Sequence, residues 1–379
     1  MSEQPAVNPA RAAHIPALDG VRGIAILMVL FEHFTPKYYA TNSLPLRFIE
    51  QLAHSCWMGV DLFFVLSGFL ITGILLRARS SPRYFISFYG RRALRIFPIY
   101  YLVLVLVFLS PWLVTQSNDV KRMLSLWPWY WFYATNYLIA LRGSFQPLDS
   151  RTLGLGHFWS LAVEEHFYLL WPTIVWICSE RTLARVCLAI MATAFALRCW
   201  AAWVGHDLIY LYVTTHCRMD SLAVGALLAV LVRQREPRIL LRRYKWVALS
   251  AGAATVIISA LQQRGLQTAL TIVEYSIVAL AFAAFICLSL CGGRVSRMVS
   301  SRPLRFFGIY SYGIYIYHGL FATKLTETFS IKKMSFNTGH LWLGILPHYV
   351  LCIGIPLVVA ILSYHLIEMH FLKLKRFFQ

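Results

Sequence analysis

Leu124-Ser-Leu-Trp-Pro-Trp-Tyr-Trp-Phe-Tyr-Ala-Thr-Asn-Tyr-Leu-Ile-Ala-Leu141 is the stretch on which the arrangement of the whole chain turns. It is apolar and long enough to pass for a membrane span, and counting it as one changes the side of every later loop. Around it, further apolar segments recur at roughly 18–36, 55–75, 97–115, 157–178, 182–204, 216–232, 246–262, 268–290, 306–323 and 341–364. Segments of this kind suit a hydrocarbon layer about 30 Å thick. The chain has 379 residues, of which 59% are hydrophobic, 15% aromatic and 13% charged. Soluble domains carry about a quarter charged residues, so an ordinary soluble fold is excluded. The expected fold is all-α, a polytopic membrane bundle of about ten transmembrane helices.

Charge settles the status of the opening stretch. With ten spans, the N-terminal tail and the loops at 76–96, 179–186, 233–245, 291–305 and 365–379 hold 22 Lys and Arg residues. The loops at 37–54, 116–156, 205–218, 263–267 and 324–340 hold 11. Short basic loops stay in the cytoplasm, which places both termini there. An eleventh span at 124–141 would reverse every later loop, so this segment is expected to be re-entrant or interfacial on the exterior side. Its three tryptophans suit the headgroup level, and Pro128 interrupts it early. The expected domains are a cytoplasmic tail at 1–17, with no signal peptide, a membrane domain at 18–370 and a cytoplasmic tail at 371–379. The net charge of +19 is then topological, and no nucleic-acid partner is expected. The eight cysteines lie mostly in apolar runs without ligand spacing, so neither a metal site nor a disulfide framework is expected.

Ionisable groups inside spans need partners or a water-filled cavity. In the first span Asp19, Arg22 and His33 share one helical face, and Arg22 and His33 are separated by a rise of about 16.5 Å. Histidine titrates near neutrality and can take a proton from a hydroxyl, although a buried imidazole joining two helices has the same spacing. Glu32, about 100° away, either helps position the imidazole from a neighbouring helix or lies against a polar seam. Ser160, Glu164 and Tyr168 repeat every fourth residue as a polar stripe, with Glu165 beside it. This pair of carboxylates faces a polar cavity or forms a structural ion pair, with Arg198 as the candidate partner. Asp61 lies near the outer end of the second span, where the glycines around it permit tight packing. Arg91, Arg92 and Arg95 form a basic group that either clamps phosphates or anchors the cytoplasmic side. Arg218, Asp220, Tyr315 and His318 mark polar outer-edge positions that line an acceptor site or serve as scaffold.

Together these segments resemble the acyltransferase-3 family of integral membrane O-acyltransferases. The resemblance is carried by Leu18-Asp-Gly-Val-Arg-Gly-Ile-Ala with His33, by Gly59-Val-Asp-Leu-Phe-Phe-Val-Leu-Ser-Gly-Phe-Leu-Ile71, and by Arg91-Arg-Ala-Leu-Arg95. Phe158-Trp-Ser-Leu-Ala-Val-Glu-Glu, Arg218-Met-Asp220 and Ser311-Tyr-Gly-Ile-Tyr-Ile-Tyr-His318 complete it. His166 stands where the family usually has glutamine, and Glu368 is not followed by the usual proline. The resemblance implies that Arg22 and His33 are required, that Arg91, Arg92 and Arg95 form the basic motif and that Glu164 and Glu165 are its paired glutamates. It implies a substrate, acetyl-CoA or another acyl-CoA, rather than a permanently bound cofactor. The acceptor would be an extracytoplasmic glycan or lipid-linked sugar, with membrane lipids around the protein and the bundle set in the inner membrane. His33 is expected as general base, with Glu164 or Glu165 orienting it. Many relatives append an esterase-like domain, which is not expected here. A macrolide or small-metabolite acyltransferase is the nearer alternative, and a proton-coupled transporter is the alternative of another class.

Overall fold

The computed structural model describes residues 15–36, 44–109, 125–145, 154–262, 267–335 and 342–378. Most of the expected N-terminal tail, Leu124 and much of the 116–156 connection therefore lie outside the described residues. Among the described residues there is no strand.

Ten helices of 18 residues or more occur among the described residues, and each overlaps one of the ten expected segments. They are α1 (Pro16–Phe34), α2 (Gly59–Ala78), α3 (Tyr84–Leu109), α4 (Phe158–Ile177), α5 (Glu180–Trp203), α6 (Thr215–Gln234), α7 (Lys245–Gln262), α8 (Gln267–Leu290), α9 (Arg302–Thr328) and α10 (Trp342–Ser363). Local chemistry fixes several of their ends. Pro residues occupy the first turns of α1 and α9, where a missing N–H breaks no helical bond. Ser179 caps α5, its hydroxyl accepting from the Thr182 N–H at 3.2 Å.

Among the described residues five helical stretches are long and apolar enough to cross a membrane: Ile49–Ala78, Glu180–Trp203, Leu208–Gln234, Leu270–Leu290 and Trp342–Phe378. Helices α1, α3, α4 and α9 are long but carry more polar residues, and these four contribute most of the polar lining described below.

Close helix packing uses glycine. A Cβ on Gly23 would overlap the Leu304 carbonyl, and one on Gly308 would overlap the Asp19 carbonyl, so α1 and α9 meet backbone to backbone. Gly68 and Gly225 do the same reciprocally for α2 and α6, against the carbonyls of Leu222 and Val65. Phe34, Phe64, Tyr100, Phe158 and Ile314 belong to one buried apolar cluster joining α1, α2, α3, α4 and α9.

The stretch after Leu124 is not one continuous helix. It forms Trp127–Trp131 and Thr135–Arg142, each much shorter than the roughly 20 residues a span needs. Between them Tyr133 adopts a left-handed φ of 53°, a conformation costing on the order of 1 kcal/mol or more for a bulky residue. Its ring stacks on Tyr100 at 4.3 Å, which holds the break in place.

A charged network ties α2, α5, α6 and α8 together. Arg218 meets Asp61 at 2.6 Å, and the Ser221 hydroxyl donates to the same carboxylate oxygen at 2.8 Å. Arg198 meets Asp220 at 2.8 Å and also donates to the Ile272 carbonyl, the Cys217 carbonyl and the Ser276 hydroxyl. The side chains of both ion pairs are 0% exposed. The Arg218 guanidinium lies 3.8 Å from the Tyr275 ring centroid, a cation–π contact in place of water. Arg198 is therefore the partner of Asp220, and not of the paired glutamates as the sequence suggested. Removing one member of such a pair typically costs about 3–5 kcal/mol, because the other charge is left buried alone.

Candidate active site

Among the cavities lined by the described residues, two share a wall. The first, about 790 Å³ of open space, is lined by Arg22 of α1, Ser67 of α2, Arg92 and Arg95 of α3, Ser160, Glu164, Glu165 and Tyr168 of α4, and Ser311, Tyr312 and Tyr315 of α9. The second, about 1130 Å³, is lined by Glu32, His33, His54, Trp57, His157, Trp159, Tyr212, Tyr315 and Thr323 among others. Val60 and Tyr315 line both.

In the first cavity the side chains are held by one another. Arg22 donates to Asp19 at 3.2 Å, so Asp19 acts on the cavity through the arginine. Glu164 accepts from the Ser67 hydroxyl at 2.6 Å and from the Tyr168 hydroxyl at 3.0 Å, which fixes both carboxylate oxygens. One oxygen of Glu165 is buried without a hydrogen-bond partner among the described residues. Arg92 stacks over the Tyr168 ring at 5.0 Å. The i, i+4 spacing of Arg91 and Arg95 placed them on one face, but the structure puts Arg92 and Arg95 into the cavity and turns Arg91 away. Arg91 instead donates to the Phe378 carbonyl at 2.9 Å.

In the second cavity His33 is the central polar group. Its Nδ1 lies 2.8 Å from a Glu32 carboxylate oxygen and 2.9 Å from the Val29 carbonyl. Both neighbours are acceptors, so Nδ1 carries the hydrogen. The side chain is 35% exposed, enough to meet a ligand. His318 packs edge-on against it with centroids 4.9 Å apart, and His157 lies 4.8 Å beyond. His318 is buried, lines neither cavity and has its Nδ1 2.7 Å from the Tyr315 carbonyl. It therefore supports the ring of His33 by packing. Trp57, Trp159 and Tyr212 give this cavity aromatic faces.

The shared wall is built on Tyr315. Its hydroxyl donates to the His157 carbonyl at 2.9 Å and makes a very short contact with the Ser160 hydroxyl. The α4 stripe of Ser160, Glu164 and Tyr168 therefore does run along one cavity, as its spacing indicated. Among the described residues no group of three or more His, Cys, Asp and Glu side chains is arranged to hold a metal ion.

The structure separates residues that the sequence had grouped. Glu164 and Glu165 line the arginine cavity and do not line the cavity of His33, where the imidazole is oriented by Glu32. A carboxylate one residue from the histidine was visible in the sequence, but ideal helical angles set it on another face. Asp61, Arg218 and Asp220 belong to the closed ion-pair network and line neither cavity. Trp57 and His54 carried no sequence signal for the site, because their role depends on how the turn at Cys56–Met58 sets them above α2.

Residues 15–365 match the family described as the acyltransferase domain. A putative peptidoglycan O-acetyltransferase of Bacillus subtilis, YrhL, is 30% identical over 94% of this chain and 54% of its own length. The peptidoglycan O-acetyltransferase OatA of Listeria monocytogenes is 27% identical, over 94% of this chain and 55% of its own. A putative O-acetyltransferase of Staphylococcus aureus is 27% identical, over 95% and 58%. The chain thus spans little more than half the length of these curated relatives. No solved structure matches it.

Proposed function

We infer, from the premise that this chain belongs to the acyltransferase family, that it moves an acetyl group from a cytoplasmic acyl-CoA to a hydroxyl of an extracytoplasmic glycan. The observation that carries this reading is the pair of cavities meeting at Val60 and Tyr315, one lined by guanidiniums and the other by an imidazole beside a carboxylate. Guanidiniums bind phosphate oxygens in bidentate fashion, which suits Arg92, Arg95 and Arg22 to the donor's phosphates. The rise of about 16.5 Å from Arg22 to His33 gives an extended pantetheine arm room to carry its thioester toward the shared wall.

In this reading the Glu32 carboxylate and Val29 carbonyl keep hydrogen on His33 Nδ1 and leave Nε2 basic. Nε2 takes the proton of the acceptor hydroxyl as that oxygen attacks the thioester carbonyl. The carbon–sulfur bond then breaks, and the leaving thiolate recovers the proton from the imidazolium. Glu164 and Glu165 sit beside Arg92 and balance part of the charge of the donor cavity. The aromatic faces of Trp57, Trp159 and Tyr212 suit a sugar ring. The names of the relatives support a glycan acceptor.

Sidedness follows from the loop charges. The end of α3 that bears the arginines carries the basic loops assigned to the cytoplasm, and His33 stands toward the opposite side. The test is transfer of radiolabelled acetyl from acetyl-CoA to oligosaccharides by the purified protein, with mass spectrometry of envelope glycans from cells with and without the gene. Labelled glycan is expected. Absence of both transfer and acetyl-CoA hydrolysis would overturn the reading in favour of a transporter, and an acylated secreted metabolite with unchanged glycans would move the acceptor class.

A further inference from the structure

The chain continues beyond α10 alongside α3. The stretch Tyr364–Phe378 runs without a break from Ser363 and packs against α3. Its end is clasped: the Phe378 carbonyl accepts from the Ser87 hydroxyl at 2.7 Å and from Arg91 Nε at 2.9 Å. The Phe378 ring lies where a Cβ on Gly90 would stand, so only glycine admits the ring this close. This clasp is where Arg91 is spent, and it determines which side chains of the stretch face α3.

Three basic side chains precede Phe378. Lys373 and Arg376 are exposed, whereas Lys375 is half-buried. The stretch Trp342–Phe378 contains 37 residues, which at 1.5 Å each is about 55 Å and far exceeds a bilayer core of about 30 Å. Lys375 therefore lies beyond the membrane, at the end of the bundle that carries the arginines. The groups acting most strongly on it are Arg95, Arg92, Arg91 and Arg22, all cations. The acids of this region face the arginines or other side chains: Asp19 is on Arg22, Glu164 is held by Ser67 and Tyr168, Glu164 and Glu165 sit beside Arg92, and Glu368 acts on Arg95. No ion pair joins Lys375, Arg92 or Arg95 to a carboxylate among the described residues. Like charges held together and partly desolvated repel, and a bound polyanion relieves that repulsion.

We propose that Lys375, held in place by the Phe378 clasp, is a further donor-binding residue whose ammonium contacts a phosphate of the acyl donor at the mouth of the arginine cavity. The proposal rests on the reading of that cavity as the acyl-CoA site and adds a residue from a different segment of the chain. Burial, followed by the four arginines, pushes the Lys375 amine down to about 8, which is consistent with a site awaiting an anion. A phosphate there has two sources, a free nucleotide donor or an anionic lipid headgroup, and the proposal commits to the donor.

The test is calorimetry of CoA and of dephospho-CoA with the full chain in neutral detergent, and in phosphatidylcholine nanodiscs with and without phosphatidylglycerol. Lys375→Gln should weaken CoA binding about 10-fold, and Lys375→Arg should restore it to within about twofold. Loss of the preference for CoA over dephospho-CoA in Lys375→Gln would assign the contact to the 3′-phosphate, and an equal loss for both ligands would assign it to the diphosphate; either supports the proposal. Should Lys375→Gln fold poorly, wild type and Lys375→Arg are compared between pH 7 and pH 9.5. Wild-type affinity should fall as the amine deprotonates above about 8, while that of the arginine variant should fall less. Unchanged affinity in Lys375→Gln, alongside a loss in Arg92→Ala, would overturn this inference and leave the proposed function standing. An effect confined to phosphatidylglycerol discs would assign the contact to lipid, and a wild-type protein without CoA affinity would remove both readings.

Discussion

Asp61, Arg218, Asp220 and Arg198 are buried in this bundle, and each carboxylate meets a guanidinium at 2.6–2.8 Å in closed packing. Arg22, Arg92, Arg95, Glu164, Glu165 and His33 are also ionisable groups within long helices, but they line open space. The first group pairs charge with charge inside the protein and joins four helices. The second keeps guanidinium and imidazole nitrogens directed at cavities large enough for a ligand. A charge inside a membrane helix is thus not by itself a mark of catalysis: what separates scaffold from site is whether the partnered group also lines a cavity.

The sharpest way to break this distinction is to remove one member of each group and compare folding with ligand binding. Arg218→Ala should lose about 3–5 kcal/mol of stability by stranding Asp61, and is expected to appear as poor yield and a large drop in melting temperature. Arg92→Ala should melt close to wild type. A stable, active Arg218→Ala protein would show that the closed network is dispensable and that the comparison is misdrawn.

Arg92→Ala should instead weaken acetyl-CoA binding by about 10- to 100-fold, the scale of one or two charge-assisted hydrogen bonds. Arg91→Ala should affect binding less, because its guanidinium holds the Phe378 carbonyl and not the cavity. Calorimetry on the two variants checks the order. A larger loss for Arg91 would return that residue to the donor site.

How much of this was readable beforehand depends on whether a feature is local or arises between helices. Apolar length and loop charge located segments that each overlap a long helix, and the loop charges indicated that 124–141 would not be a plain span; Pro128 opens the first short helix there and does not mark the break. The left-handed Tyr133 that divides that stretch depends on stacking with Tyr100, on another helix, and had no local signal. Spacing correctly aligned Ser160, Glu164 and Tyr168, because one helix fixes all three. It did not identify the partner of Arg198, since Asp220 is on another helix and pairing across helices depends on their packing. It also misassigned Arg91, because the competing carbonyl of Phe378 lies near the far end of the chain. Glu32 reaches His33 because a side chain two methylenes long bends around the helix, which ideal angular positions do not represent.

The smallest expected effect is at the shared wall. Tyr315→Phe removes the hydroxyl that bonds the His157 carbonyl and the Ser160 hydroxyl, and should cost about 0.5–1.5 kcal/mol of stability. Acetyl-CoA binding should be unchanged and transfer should fall by less than about 10-fold, values between those of scaffold and site. Transfer assays at matched protein amounts decide this. A complete loss of transfer with normal binding would promote the Tyr315 hydroxyl from partition to participant in the chemistry.

The central claim is that donor binding and proton abstraction occupy separate cavities, and the most direct measurement is the split between them in His33→Ala. Binding of acetyl-CoA by calorimetry and acetyl transfer are measured on the same purified, folded preparation. The account predicts donor affinity within about twofold of wild type and transfer reduced at least about 100-fold. Transfer above about a tenth of the wild-type rate would contradict His33 as the base, and a parallel loss of acetyl-CoA affinity would contradict the separation of the two cavities.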